Sequence, residues 1–480
     1  MNAIARRTTA RRATAAALLG ASAFALPDAA DAHGIGGVSD LPIPGWLFAW
    51  AAAAVLMLSF VALGVLWPRP RLERLRRREL LTLPCWLDPA AGALGVAVTA
   101  LVVTSALAGT TDAGTNLAPT FVWVVFWVAL PLASAVLGDL YTPVDPWRAI
   151  ARVTRWAIRR TRAGRTTRPR RRRIAPYPAA LGRWPAAAGL AAIGWMELVW
   201  VRRDDPRALG WLILGYGAVQ LAGMARYGIV AWRRNADPFA VYVHVVAHVA
   251  PLVAEGRRVL ARAPLSGLPS LAVVPGTTAA LCALLGTTAY DGLSRGSLWT
   301  RVAPGLTRAA GDLGLRPAVA GEAVGTLGLA LAVALVAGVY GVGVLGMRRL
   351  SRGAEGTALG ARFAHSLVPI AVAYVVAHYF SLVTVQGQAL AALASDPLGS
   401  GANLFGTASL TVNYGLLSAA TVWGVQVVAL VAGHVGGLVL AHDRALTTFS
   451  SHRRAVRSQR WMLVVMVGFT SLGLWLLSGA

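Results

Sequence analysis

The 480-residue chain has no lysine, only two cysteines and little charge of any kind, with 14% of its residues charged. Soluble chains carry about 25%. With 56% hydrophobic residues and a mean hydropathy of +0.59, that shortage excludes an ordinary soluble enzyme and a disordered chain. Cys85 lies in a basic loop and Cys282 in an apolar segment, which excludes a disulfide scaffold. There is no P-loop and no soluble stretch large enough to house one, so an ATP-driven pump is excluded as well. What remains is a polytopic membrane protein.

All 45 basic residues are arginine, against 20 acidic ones, for a net charge of +25. In a membrane protein such an excess collects in cytoplasmic loops and faces anionic lipid, so it reports orientation before it reports a nucleic-acid partner. The amino terminus has Arg6, Arg7, Arg11 and Arg12, an apolar run from Ala13 to Leu26, and Ala30-Asp31-Ala32 ahead of His33. This pattern predicts a signal peptide over residues 1–32, with one membrane-embedded domain over 33–480 and the mature amino terminus outside.

Apolar runs long enough to cross a bilayer occur at Trp46–Trp67, Ala90–Gly109, Ala118–Gly138, Trp184–Val201 and Ala208–Ala231. A second set follows at Leu271–Tyr290, Ala323–Gly346, Phe363–Val385, Thr411–Ala441 and Trp461–Ser478. The expected fold is an all-α transmembrane bundle of about ten spans. Phe239–Val253 is shorter and is interrupted by His244 and His248. Arginine-rich loops flank it on the same side of the membrane, at 233–234 and 257–262, so it is expected to be re-entrant or interfacial. The least comfortable part of this topology is the Tyr290–Glu322 loop, which places four arginines outside.

Asp145-Pro146-Trp147 and Asp237-Pro238-Phe239 each read as an N-cap aspartate with proline at the first helical position. The first opens a basic cytoplasmic loop, residues 147–176. Its start has Trp147, Ile150, Ala151, Ala157 and Ile158 on one helical side, the pattern of a helix lying on lipid. The arginine run from Arg162 to Arg173 is a solvated linker, and no nucleic-acid partner is expected.

Ionisable side chains within spans are costly, so they are where function is sought. Glu197 and Asp291 are candidate catalytic acids or bases, with Asp291 as an outer general base. His365, His378, His434 and His442, with Asp443 beside the last, are candidate ligands for a divalent transition metal such as zinc or copper, Asp443 orienting an imidazole. His365 and His378 are separated by about 220° and 19 Å of helix, and His434 and His442 by about 80° and 12 Å. A shared metal therefore requires pairing between spans, and two stacked haems are disfavoured because the two intervals differ. His244 and His248 share one helical face, a spacing that can chelate a metal, and His33 at a processed amino terminus offers an amine and an imidazole to copper.

Several segments carry a resemblance. They are His33-Gly34-Ile35-Gly36-Gly37 with Asp40-Leu41-Pro42-Ile43-Pro44, Glu197-Leu198-Val199, Asp204-Asp205-Pro206-Arg207, Gln220-Leu221-Ala222-Gly223 and Tyr290-Asp291-Gly292. The most specific block runs from Phe363-Ala364-His365-Ser366-Leu367-Val368-Pro369-Ile370-Ala371 through Ala377-His378-Tyr379-Phe380-Ser381 to Gln386-Gly387-Gln388, followed by Gly433-His434 and Ala441-His442-Asp443-Arg444. Across nearly the whole mature chain the sequence resembles a bacterial integral-membrane family labelled fenitrothion hydrolase. The resemblance implies hydrolysis of a lipophilic organophosphorus triester in the inner membrane, with a possible second membrane subunit, and assigns no catalytic residues.

Three functions follow as expectations. The first is metal-assisted hydrolysis of a lipophilic substrate, by water activated on the histidine-bound ion. The second is a proton- or metal-coupled permease, which also uses broken segments and midplane ionisable groups. The third is a respiratory or assembly subunit binding one haem.

Overall fold

The computed structural model describes residues 45–72, 77–163, 174–350, 358–449 and 451–477. The expected signal peptide and His33 lie outside these. The described chain is mostly helical, as α1 (Gly45–Leu66), α2 (Leu87–Ala108), α3 (Leu117–Leu137), α4 (Tyr141–Val144), α5 (Pro146–Ala163) and α6 (Trp184–Leu198). There follow α7 (Pro206–Tyr227), α8 (Ile229–Asn235), α9 (Pro238–Ala247), α10 (Thr277–Arg295), α11 (Ser297–Asp312) and α12 (Pro317–Leu350). The last four are α13 (Leu359–Gln386), α14 (Ala389–Ser395), α15 (Ala419–Thr448) and α16 (His452–Leu477).

Six helices, α2, α3, α7, α12, α13 and α15, are long and apolar enough to cross a membrane. The other four expected runs are helical, on α1, α6, α10 and α16, without reaching that length and apolarity together among the described residues. Within its apolar window α13 is 61% buried, the highest of the six, which makes it the central helix. It packs along α15, and α10 lies against α6, α12 and α13. Gly433 allows the first contact, since a Cβ there would stand 2.2 Å from that of Ala373.

Local signals set the helix ends. Asp205 caps α7 and Asp237 caps α9, each carboxylate accepting from the backbone N–H three residues on, with proline at the next position. Gly138 ends α3 and Gly228 ends α7, both at positive φ, a conformation that other residues adopt at a cost. Within α3, Phe121–Ala129 is π-helical. Pro131 follows two residues later; it has no N–H to give and its ring crowds the preceding turn, which the wider coil accommodates.

α9 has 10 residues, about 15 Å of rise, half of a hydrocarbon core of about 30 Å. Beyond it, β2 (Leu252–Glu255) and β3 (Arg258–Ala261) form a hairpin, and β1 (Arg78–Thr82) adds to β3, all antiparallel in the order β1-β3-β2. The loop after α1 and the loop after α9 therefore lie on one side, as the arginine arithmetic requires. The Tyr290–Glu322 segment, read from sequence as a loop, contains a helix instead. α11 exposes Leu298, Val302 and Leu306, one turn apart each, and Trp299 packs on Tyr290. Two of the segment's four arginines, Arg301 and Arg308, thus belong to an amphipathic helix. The basic helix α5 forms, but the start of the face expected on lipid is packed on the bundle, with Ala151 buried and Trp147 against Tyr216. The exposed apolar side chains are Val153, Trp156 and Ile158, and Arg148 and Arg152 both pair with Asp88 of α2.

Candidate functional site

Glu197, one residue from the end of α6, is 7% exposed. Its Oε2 accepts a 2.6 Å hydrogen bond from the Trp127 indole. That indole comes from the π-helical part of α3, where Trp123, four residues earlier, also donates, to the Arg203 carbonyl at 3.1 Å. The widened coil thus fastens α3 to the end of α6 by two indoles.

Asp291, on α10, is 1% exposed. Its Oδ2 lies 2.7 Å from His378 Nε2 on α13, and its Oδ1 lies 3.0 Å from Arg295, one turn further along α10. Tyr379, next to His378, is buried beside both Glu197 and Asp291. Two hydrogen-bonded pairs, Trp127–Glu197 and Asp291–His378, thus lie on either side of Tyr379 in a polar row drawn from four helices. At one end the His378 side chain is 12% exposed and that of Arg295 42%, while Asp291 and Glu197 are buried.

A small cavity adjoins this row, walled by Trp127, Tyr242, Thr287, Thr288, Val375 and Tyr379. About 10 Å³ is open to the centres of water molecules, room for about one water. Close approach of α6 and α10 holds the two carboxylates together. Gly194 faces Thr287, whose Cγ2 would stand 2.3 Å from a Cβ there.

The remaining candidate residues do not join this site. His365 is 2% exposed and its Nε2 has no hydrogen-bond partner among the described residues. His434 turns Nδ1 onto the Leu430 carbonyl at 2.7 Å, and His442 turns Nε2 onto the Trp67 carbonyl at 3.0 Å. Asp443 Oδ1 accepts from the Trp67 indole at 3.0 Å and the Arg71 N–H at 2.7 Å. It anchors the chain leaving α1 rather than orienting an imidazole. His244 and His248 do lie together, ring centroids 4.6 Å apart, with His248 Nδ1 on the His244 carbonyl at 2.7 Å.

Among the described residues no three His, Cys, Asp or Glu side chains are grouped so as to hold a metal ion. The four-histidine set does not converge because His378 is taken up by Asp291, while His434 and His442 sit two turns apart on α15 and bond to different backbone carbonyls. Among the described residues the placement of these donors therefore gives no metal-holding group.

Sequence reading missed Trp127, Tyr379 and Arg295. The last was legible, four residues after Asp291 and thus on the same helical face. It also passed over Gly292-Leu293-Ser294-Arg295-Gly296, a Gly-x-Ser-x-Gly match. Such a serine acts as a nucleophile on a sharp strand-to-helix turn. Here Ser294 lies inside α10 and its hydroxyl donates to the Asp291 carbonyl at 2.8 Å, so the match carries no such elbow.

The site belongs to a helical protein whose apolar helices suit a membrane. No family model matches the chain, and no curated protein or solved structure shows significant similarity to it.

Proposed function

We propose that this chain is a proton-coupled permease of the bacterial inner membrane, with its mature amino terminus outside and about ten spans. The observation that carries the reading is the buried row of His378, Asp291, Tyr379 and Glu197, in which the imidazole is hydrogen-bonded to Asp291 and Glu197 to the Trp127 indole. Carboxylates and imidazole inside a membrane bundle are expensive to keep, and set in a row beside a tyrosine they can form a relay along which a proton is handed. The adjoining cavity has room for about one water, which suits a relay and is too small for a phosphotriester. Purified protein in liposomes, driven by a potassium diffusion potential and followed with an internal pH dye, is expected to pass protons. Asp291→Asn should cut that flux at least about tenfold, a barrier increase of about 1.4 kcal/mol. Flux equal to that of empty liposomes would sink the reading.

A second reading rests on the Asp291–His378 pair and on the resemblance to fenitrothion hydrolases. A buried carboxylate that fixes one imidazole nitrogen leaves the other to take a proton from water, so His378 Nδ1 would be the general base for hydrolysis of a lipophilic phosphotriester. The metal-assisted form of this reading has no support from the placement of His365, His434 and His442. Release of the phenol from fenitrothion, lost in His378→Ala and indifferent to chelators, is the expected result. No turnover by the intact protein in detergent counts against it.

A further inference from the structure

The two Asp-Pro-aromatic segments, 92 residues apart in sequence, meet in space. Asp145 and Asp237 are both fully buried. Asp145 Oδ1 accepts from the Trp147 N–H at 2.9 Å, and its Oδ2 takes the Arg233 Nε at 2.6 Å. Asp237 Oδ1 accepts from the Tyr216 hydroxyl at 2.6 Å and the Ala240 N–H at 3.0 Å. Its Oδ2 has no partner among the described residues, and neither has the hydroxyl of Tyr141, which is 1% exposed. The Arg233 guanidinium lies 6.0 Å from the Tyr141 ring centre. Two ionised carboxylates would thus face one guanidinium, which is paired with Asp145, and the surplus negative charge would fall on Asp237, whose Oδ2 has no hydrogen-bond partner among the described residues. An isolated buried charge of this kind is neutralised rather than kept.

We propose that Asp237 is a proton-binding site, its Oδ2 holding a proton that balances the surplus charge of the Asp145–Arg233–Asp237 cluster. Burial, and then the neighbouring Asp145 carboxylate, push the Asp237 carboxyl up to about 6. The titratable and charged groups facing it are Asp145 at the start of α5, Tyr141 on α4, Tyr216 on α7 and Arg233 on α8. Asp139 acts on Arg233. Further along α9, His244 faces Arg183 and Arg234, and Tyr242 faces Glu197.

The site is separate from the Glu197–His378 row. Phe239 stands between them, 6.0 Å from the Trp127 ring and 5.4 Å from that of Tyr216. One indole of that aromatic layer serves Glu197, and the tyrosine beyond it serves Asp237. A proton held here lies on the opposite side of the layer from that row.

Infrared difference spectra of the full chain in detergent, between pH 5 and 8, test the proposal without any solute or flux, so it can stand where the permease reading fails. A protonated-carboxyl band is expected to titrate near pH 6 and to be missing from Asp237→Asn, whose asparagine still caps α9. Asp145→Asn removes the like charge and frees Arg233, so it should move the midpoint down by about one unit or more. It also serves should Asp237→Asn fail to fold. A band unchanged in Asp237→Asn, or a midpoint unmoved in Asp145→Asn, overturns the proposal. So does a spectrum with Asp237 ionised at pH 5 whose changes follow added sodium or potassium, because a bound cation would then carry the balancing charge.

Discussion

Asp291 and His378, 87 positions apart, are joined at 2.7 Å in the interior of the bundle. The carboxylate has a second partner in Arg295, yet the two contacts are unequal, because the arginine is half exposed and the imidazole is largely shielded. Asp291→Asn keeps the shape and removes the charge, and is expected to cost about 1–3 kcal/mol, the range for a buried polar group left with a poor partner. Arg295→Gln should cost under about 1 kcal/mol, as solvent-screened pairs do. Thermal unfolding in detergent, followed by tryptophan fluorescence, gives the order of the two. If Arg295→Gln proves the more damaging, the imidazole is not the principal partner.

Trp127→Phe isolates the indole hydrogen bond to Glu197 from the aromatic packing around it. The phenyl ring still meets Phe239 and Tyr242, whereas Glu197 Oε2 loses its donor. A loss of about 1–3 kcal/mol is expected, together with reduced proton flux in liposomes. Trp127→Phe/Glu197→Gln should lose less stability than the two single changes summed, since contacting groups couple. Additive losses would mean that the indole acts through packing alone.

Gly194→Ala tests whether the close approach of α6 and α10 sets the spacing of Glu197 and Asp291. The added methyl would stand 2.3 Å from Thr287 Cγ2, and overpacking of that kind costs about 1–3 kcal/mol. Thr287→Ser deletes the methyl in the way and keeps the hydroxyl, which bonds the Leu284 carbonyl. The double variant is expected to recover most of the lost stability. Failure to recover places the strain elsewhere on the interface.

The helices were legible because apolar length is a local property. Each apolar run read as a span overlaps a helix, six of them long and apolar enough to cross a membrane, although α6, at 15 residues, is shorter than its run and the runs from Thr411 and Leu271 begin ahead of α15 and α10. The aspartate caps were legible for the same reason, Asp237 and Asp145 each preceding a proline. Which side chains meet was not. Asp291 and His378 were both singled out, but as a base and a metal ligand, because their relative depth depends on how α10 and α13 pack. Trp127 had no signal at all: the π-helical turn before Pro131 changes which residues of α3 face α6, and a regular helical wheel places them wrongly. The amphipathic face of α11 was in the sequence, at Leu298, Val302 and Leu306, and was overlooked in favour of its arginines.

Asp443 offers the remaining test, of a residue expected at a metal and found at a chain turn. Its Oδ1 gathers the Trp67 indole and the backbone N–H groups of Arg71 and Leu72, so one carboxylate ties the chain leaving α1 to the middle of the bundle. Asp443→Ala leaves three donors without that acceptor. The exposed backbone at Arg69 and Arg71 should then open more readily, because local opening follows local contacts. Limited trypsin digestion of the detergent-purified protein is expected to cut after Arg71 about ten times faster than in the parent, equivalent to about 1.4 kcal/mol of local stability. Asp443→Asn keeps an acceptor oxygen and should stay close to the parent rate. Equal cutting in all three proteins would return Asp443 to a role other than anchoring that turn.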